Sequence, residues 1–113
     1  MATVIEIKKY DVSYYAGGKN VRAYPYRAII GLRDETDEFI AAAYFHLSEA
    51  TMPASDSKRA TGFISCHYGA GDYPQVLDIL RNEKPVFVEF DERTNVANIR
   101  TSAEPVGEGE FSY

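Results

Sequence analysis

From Phe39 to Leu47 an apolar side chain occupies every second position, through Phe39, Ala41, Ala43, Phe45 and Leu47. That period places all of them on one side of a strand, whereas a helix would scatter them around its axis. Residues 39–47 therefore predict a core strand, and the rest of the chain must supply a sheet around it. Two segments rich in β-branched and aromatic residues precede it, Val4 to Tyr15 and Val21 to Leu32. Gly17-Gly18-Lys19-Asn20 between them tolerates positive φ, which predicts a long hairpin. With Gly17-Gly18 as the turn, Ile5 faces Ile30 and Ile7 faces Ala28, so Ile5, Ile7, Lys9 and Tyr15 share a face with Tyr24, Tyr26, Ala28 and Ile30. A turn at Glu35-Thr36 brings the 39–47 strand onto that same face and leaves Tyr10, Val12, Tyr14 and Ile29 on the other. Pro25 cannot donate to a ladder and marks an edge or a bulge.

Ser48 to Lys58 gathers Ser, Thr, Pro and Asp without periodicity and reads as a long loop. Thr61 to Tyr68 reads as a fourth strand, ended by Gly69-Ala70-Gly71. Asp72 with Gln75 matches a helix-start box, and Val76, Leu77 and Leu80 form the apolar stripe of a helix over 73–83. Pro85 to Phe90 and Val96 to Thr101 flank a turn and predict a second hairpin. Residues 103–113, rich in Glu and Gly, read as a flexible acidic tail to a single globular domain of residues 1–102. The expected architecture is α+β, in the order β-β-β-β-α-β-β, an antiparallel twisted sheet with one helix packed on it. The alternative is a small barrel of the oligonucleotide-binding type, because a long first strand that changes phase near Lys8-Lys9 can serve two halves of a barrel. The run of four strands into a helix also resembles the topology of the Whirly-type single-stranded DNA-binding fold, a likeness of element order alone.

A chain of 113 residues with 45% hydrophobic content suits one compact domain that buries a core without staples. Cys66 is the single cysteine, so no internal disulfide is available, and no secretory leader pattern opens the chain. Its apolar runs are far shorter than the roughly 20 residues a membrane helix needs. The expectation is a soluble, cytoplasmic protein with no membrane partner.

Catalytic and metal motifs are absent at the level of spacing. Structural zinc needs three or four Cys or His ligands, and Cys66, His46 and His67 are the only ones, at no ligand spacing. Asp34 to Glu38 lacks the loop length, central glycine and closing glutamate of a calcium hand. Gly69-Ala70-Gly71 would need a third glycine where Pro74 stands, so a nucleotide loop is not expected there. Cys66 and His67 are neighbours on a strand and point to opposite faces, so a nucleophilic pair would have to recruit His46 instead. No catalytic, cofactor-binding or metal-binding residue is assigned, and no cofactor is expected.

The remaining signal is a partition of charge. Residues 1–33 hold six cations against Glu6 and Asp11, a balance of +4 in a chain of −5, so the other 80 residues carry −9. Five of the nine tyrosines lie in the same basic stretch. Mixed cations and rings can hold phosphates and stack flat bases, and tyrosine is also a favoured residue of protein interfaces. The candidate binding surface is Lys8, Lys9, Tyr15, Arg22, Tyr24, Tyr26 and Arg27. Strands apolar on both faces exceed what one short helix covers, which predicts a homodimer. The leading expectation is thus a homo-oligomeric interaction module with a possible protein partner. Alternatives are a single-stranded nucleic-acid-binding hairpin, and a small enzyme in which His46, His67 and carboxylates converge.

Overall fold

The computed structural model describes residues 2–19, 24–103 and 106. It is an α+β domain of eight strands in two sheets. Strands β1 (Ala2–Ile7), β7 (Val86–Asp91) and β8 (Val96–Thr101) form an antiparallel sheet in the order β1-β7-β8. Strands β2 (Lys9–Tyr14), β3 (Tyr26–Arg33), β4 (Phe39–His46), β6 (Ile64–Gly69) and the two-residue β5 (Ser57–Lys58) form the second, in the order β2-β3-β4-β6-β5. Helix α1 (Tyr73–Asn82) follows β6, and a short 3-10 turn covers Glu49–Thr51. Every neighbouring pair is antiparallel except β4 and β6, which run parallel. The connection between them contains the predicted loop, and it holds the 3-10 turn and β5 rather than irregular chain alone. Six strands precede the helix, so the four-strand order of the Whirly-like likeness does not form.

The predicted first strand is real but broken. It changes sheet at Lys8, whose amide still donates to the Arg33 carbonyl at 2.8 Å. β1 pairs with β7, and only β2 pairs with β3. The phase change near Lys8-Lys9 therefore serves two sheets, as the barrel alternative required, yet the sheets stay separate and no barrel closes. The hairpin register is corrected as well. Tyr10 faces Leu32, Val12 faces Ile30 and Tyr14 faces Ala28. Directly paired residues share a face, so Tyr10, Val12 and Tyr14 lie on the inner side with Ala28, Ile30 and Leu32. Lys9, Asp11 and Ser13 lie on the outer side with Ile29, Gly31 and Arg33. The Gly17-Gly18 turn does not set this register, because the chain between β2 and β3 is much longer than two residues.

Two β-bulges trim the 39–47 alternation at both ends. Ala41, Ala43 and Phe45 are fully buried as expected. The ladder shifts between Leu32 and Arg33, so Phe39 pairs with Arg33 on the outer side and is 50% exposed. A second shift between Tyr26 and Ala28 turns Tyr26 outward beside His46. Leu47 leaves the strand and lines a small cavity with Tyr24 and Tyr26.

The core fills the space between the two sheets and α1. Ile7, Ile30, Leu32, Phe45, Ile64, Cys66, Val86, Val88, Phe90 and Ile99 are buried together, and Val76 and Leu80 of α1 complete the cluster. Phe45 stacks on Tyr68 at 5.3 Å and meets the edge of Tyr73 at the start of α1. Asp72 precedes the helix, but its side chain makes no cap hydrogen bond, so the predicted helix-start box is not formed. Pro74 in the first turn, with φ preset and no N–H to satisfy, remains the local reason the helix begins there.

The rims of the two sheets are joined by side chains. Lys58 Nζ donates to Glu92 Oε2 at 2.6 Å and to Thr3 Oγ1 at 3.0 Å, while Thr3 Oγ1 donates to Glu92 Oε2 at 2.7 Å. Asp56 accepts the His67 amide at 2.7 Å and the Ala97 amide at 2.8 Å, tying β6 to β8. Among the described residues no helix is long and apolar enough to cross a membrane. The predicted 103–113 tail lies, apart from Ala103 and Val106, outside the described residues.

Candidate functional site

One face of the five-stranded sheet carries the core, and the opposite face carries a row of rings. Tyr15 meets Tyr24 at 4.5 Å, Tyr24 meets Tyr26 at 5.4 Å, and Tyr26 meets both Tyr44 at 5.3 Å and His46 at 4.9 Å. Tyr44 stacks on His67 at 5.3 Å and 18°. Tyr26, Tyr44 and His67 come from three adjacent strands, β3, β4 and β6, whose outward positions the ladder aligns. Beside the row, Ile29, Phe39, Ala42 and Phe63 line a shallow cavity of about 310 Å³ with Tyr15 and Gly31. A Cβ at Gly31 would stand 2.6 Å from Phe39 Cε1, so any larger residue there must displace the Phe39 ring, which lies under the Arg33 guanidinium, 3.9 Å from the ring centre.

The two histidines form a directed hydrogen-bond chain. Thr51 Oγ1 donates to the Ser48 carbonyl at 3.0 Å, which leaves its lone pair to accept from His46 Nδ1 at 3.1 Å. His46 Nε2 then carries the lone pair and accepts from His67 Nδ1 at 3.0 Å. This assignment follows from the bonding, since a carbonyl can only accept. It leaves His67 Nε2 unprotonated. Burial lowers the His46 pKa and the neighbouring His67 lowers it further; burial also lowers that of His67, against an opposing pull from Asp56. Both rings are therefore neutral near pH 7. Only one proton fits between the facing nitrogens, so a second protonation would set N–H against N–H. On the same face the Tyr15 hydroxyl raises the Tyr24 phenol to about 12, and Tyr24 stays un-ionised.

The candidate surface of the sequence is split by the fold. Tyr15, Tyr24, Tyr26 and Arg27 come together around a cavity of about 150 Å³ with Leu47 and the Gly17-Gly18 turn. Arg27 is spent on structure, donating to the Tyr15 carbonyl at 3.0 Å and the Ala16 carbonyl at 3.5 Å. Lys8 and Lys9 line a different cavity. Lys8 pairs with Glu6 at 3.2 Å, and Lys9 with Asp37 at 3.4 Å. Arg22 lies outside the described residues. Tyr44, His46 and His67 are members that the basic-tyrosine pattern did not include; the signal for them is the outward phase of β4 and β6 once Ala43, Phe45 and Cys66 are placed inward.

The chemistry of the face is that of contact more than of reaction. Cys66 points into the core, away from both imidazoles, and burial raises its thiol to about 12, so it is not a ready nucleophile. Among the described residues no group of three or more His, Cys, Asp or Glu side chains converges as a metal site would need. The Asp56 carboxylate, which accepts the His67 amide, is occupied by two backbone amides. What the face offers is flat rings, phenolic hydroxyls, one imidazole lone pair and apolar floor. No protein family, curated protein or solved structure gives a match to this chain.

Proposed function

We propose that the protein is a binding module that works as a homo-oligomer, with the ring-bearing outer face of the five-stranded sheet as the contact between copies. The observation that carries this reading is that, among the described residues, Tyr24, Tyr26, Ile29, Tyr44 and Phe63 keep part of their surface open on one face of the sheet, where the Ser48–Thr51 turn closes over His46, while the opposite face holds the core. Four long strands at about 4.8 Å spacing and about 3.3 Å per residue give roughly 450 Å² in projection. Lys9, Asp11 and Ser13 make up the β2 side of that area, so its aromatic and apolar part is the portion on β3, β4 and β6.

Charge favours a second copy over a polyanion. Lys9 and Arg33 pair with Asp37, and Arg33 also pairs with Asp11, so the rim carries both signs in equal number. Such a rim is self-complementary across a two-fold axis. A nucleic-acid strand would need an excess of cations beside the rings, and there Arg27 is held by the Tyr15 and Ala16 carbonyls while Asp11 and Asp37 stand against Lys9 and Arg33. The reading is tested by hydroxyl-radical footprinting across a protein concentration series. Tyr26, Tyr44 and Phe63 are expected to lose reactivity as concentration rises, with Tyr14 on the inner side as the unchanged reference. Equal reactivity of all four at every concentration would remove the proposal.

A further inference from the structure

Lys8 and Lys9 open onto a cavity of about 390 Å³, far from the ring row, between the β1–β2 junction and the end of α1. Arg81, in the last turn of α1, and Lys84, just beyond it, face them, and Glu6 and Glu83 are the carboxylates of the wall. Among the described residues, four cationic and two acidic residues line it, in a protein of net charge −5. The C-terminus of α1 contributes about half a negative charge, so the cavity remains positive. That dipole explains cations at Arg81 and Lys84, but not those arriving from the opposite wall. Neighbouring strand residues normally diverge. Lys8 occupies the break between β1 and β2, and Lys9 lines the cavity from the start of β2 with its ammonium 3.4 Å from Asp37.

Among the described residues, Arg81 and Lys84 make no ion pair, while Lys8, Lys9, Arg33, Lys58, Arg93 and Arg100 each do. The Lys8–Glu6 and Lys9–Asp37 side chains are 38–68% exposed, so these surface pairs give way to a ligand at little cost. The volume lies within the roughly 300–1,000 Å³ of small-molecule sites. We propose that this cavity binds a small phosphorylated molecule. Its phosphate oxygens take the Arg81 fork in a bidentate hydrogen bond and the three lysines as point charges. A phosphate monoester carries about −1.5 to −2 at neutral pH, which matches the excess of two cations on the wall.

The test uses the full chain and pyrophosphate as the probe, read by phosphorus NMR line broadening and by the thermal midpoint at fixed ionic strength. Pyrophosphate is expected to broaden and to raise the midpoint of the wild-type protein, with affinity falling at least tenfold in Arg81→Gln/Lys84→Gln. Both positions are exposed, so the ligand-free melt should be unchanged; Lys84→Gln alone serves if the double variant melts early. Tyr44→Ala should bind pyrophosphate as the wild type does, which separates this site from the ring face. Phosphatidylglycerol vesicles should retain no protein. Absent binding, undiminished binding in both variants, or retention on vesicles without binding of pyrophosphate would overturn the proposal.

Discussion

Among the described residues Phe45 is the largest fully buried side chain, and it touches rings from both β6 and α1. Phe45→Ala should cost about 3–5 kcal/mol, measured by denaturant unfolding; a loss below about 1 kcal/mol would mean that its face is not the core. The histidine pair makes a prediction about pH. Both folded-state pKa values lie below the ordinary 6.5, so the unfolded chain binds more protons in that window. Their contribution is complete above about pH 6.5 and is lost as pH falls through the lowered folded values. His67→Gln should flatten the stability profile between about pH 7 and 5, and an unchanged slope would contradict the chain of bonds described above. At this scale sequence alternation was informative, since it placed Cys66 and His67 on opposite faces. It could not bring His46 to His67, because that contact depends on β4 and β6 lying side by side in parallel across a connection that carries no pairing signal.

At the scale of elements, the helix and the second hairpin were legible because their signals are local: an apolar stripe at helical spacing, and two β-rich runs around a turn. The register of β2 on β3 was not. Its determinant is that β1 leaves to pair with β7, a partner about eighty positions along the chain whose choice no local pattern encodes. The bulges at Tyr26/Ala28 and Leu32/Arg33 are equally invisible to alternation, yet they decide that Tyr26 and Phe39 face outward. Gly31 tests the second of these. Gly31→Ala should push the Phe39 ring off its seat beneath Arg33 and destabilise the fold by about 1–3 kcal/mol, the usual range for a crowded insertion. Phe39→Ala made in the same background should recover most of that loss, since the contact concerns one ring. Additive losses in the double variant would place the strain elsewhere.

For the whole molecule, the two sheets are held edge to edge by the Lys58, Glu92 and Thr3 cluster, and that contact is sensitive to acid. Hydrogen bonds from Lys58 and Thr3 depress the Glu92 carboxyl from 4.5 to about 2. A depressed carboxylate stabilises the fold above its unfolded pKa, and the contribution fades as pH falls from about 4.5 toward 2. Glu92→Gln should therefore lower stability at neutral pH and shallow the acid limb of the unfolding profile, whereas parallel profiles would show that the cluster does not join the sheets. The larger claim is that the ring face is an interface; the sequence led to a homodimer through a different face, because it set Tyr10, Val12 and Tyr14 outward where the observed register turns them inward. Light scattering on the wild-type protein and on Ile29→Glu, across a concentration series into the high micromolar range, tests it most directly. The account predicts a dimer mass for the wild type that falls to the monomer in Ile29→Glu with the thermal midpoint little changed; a strict monomer mass for the wild type throughout, or a dimer that Ile29→Glu leaves intact, would contradict it.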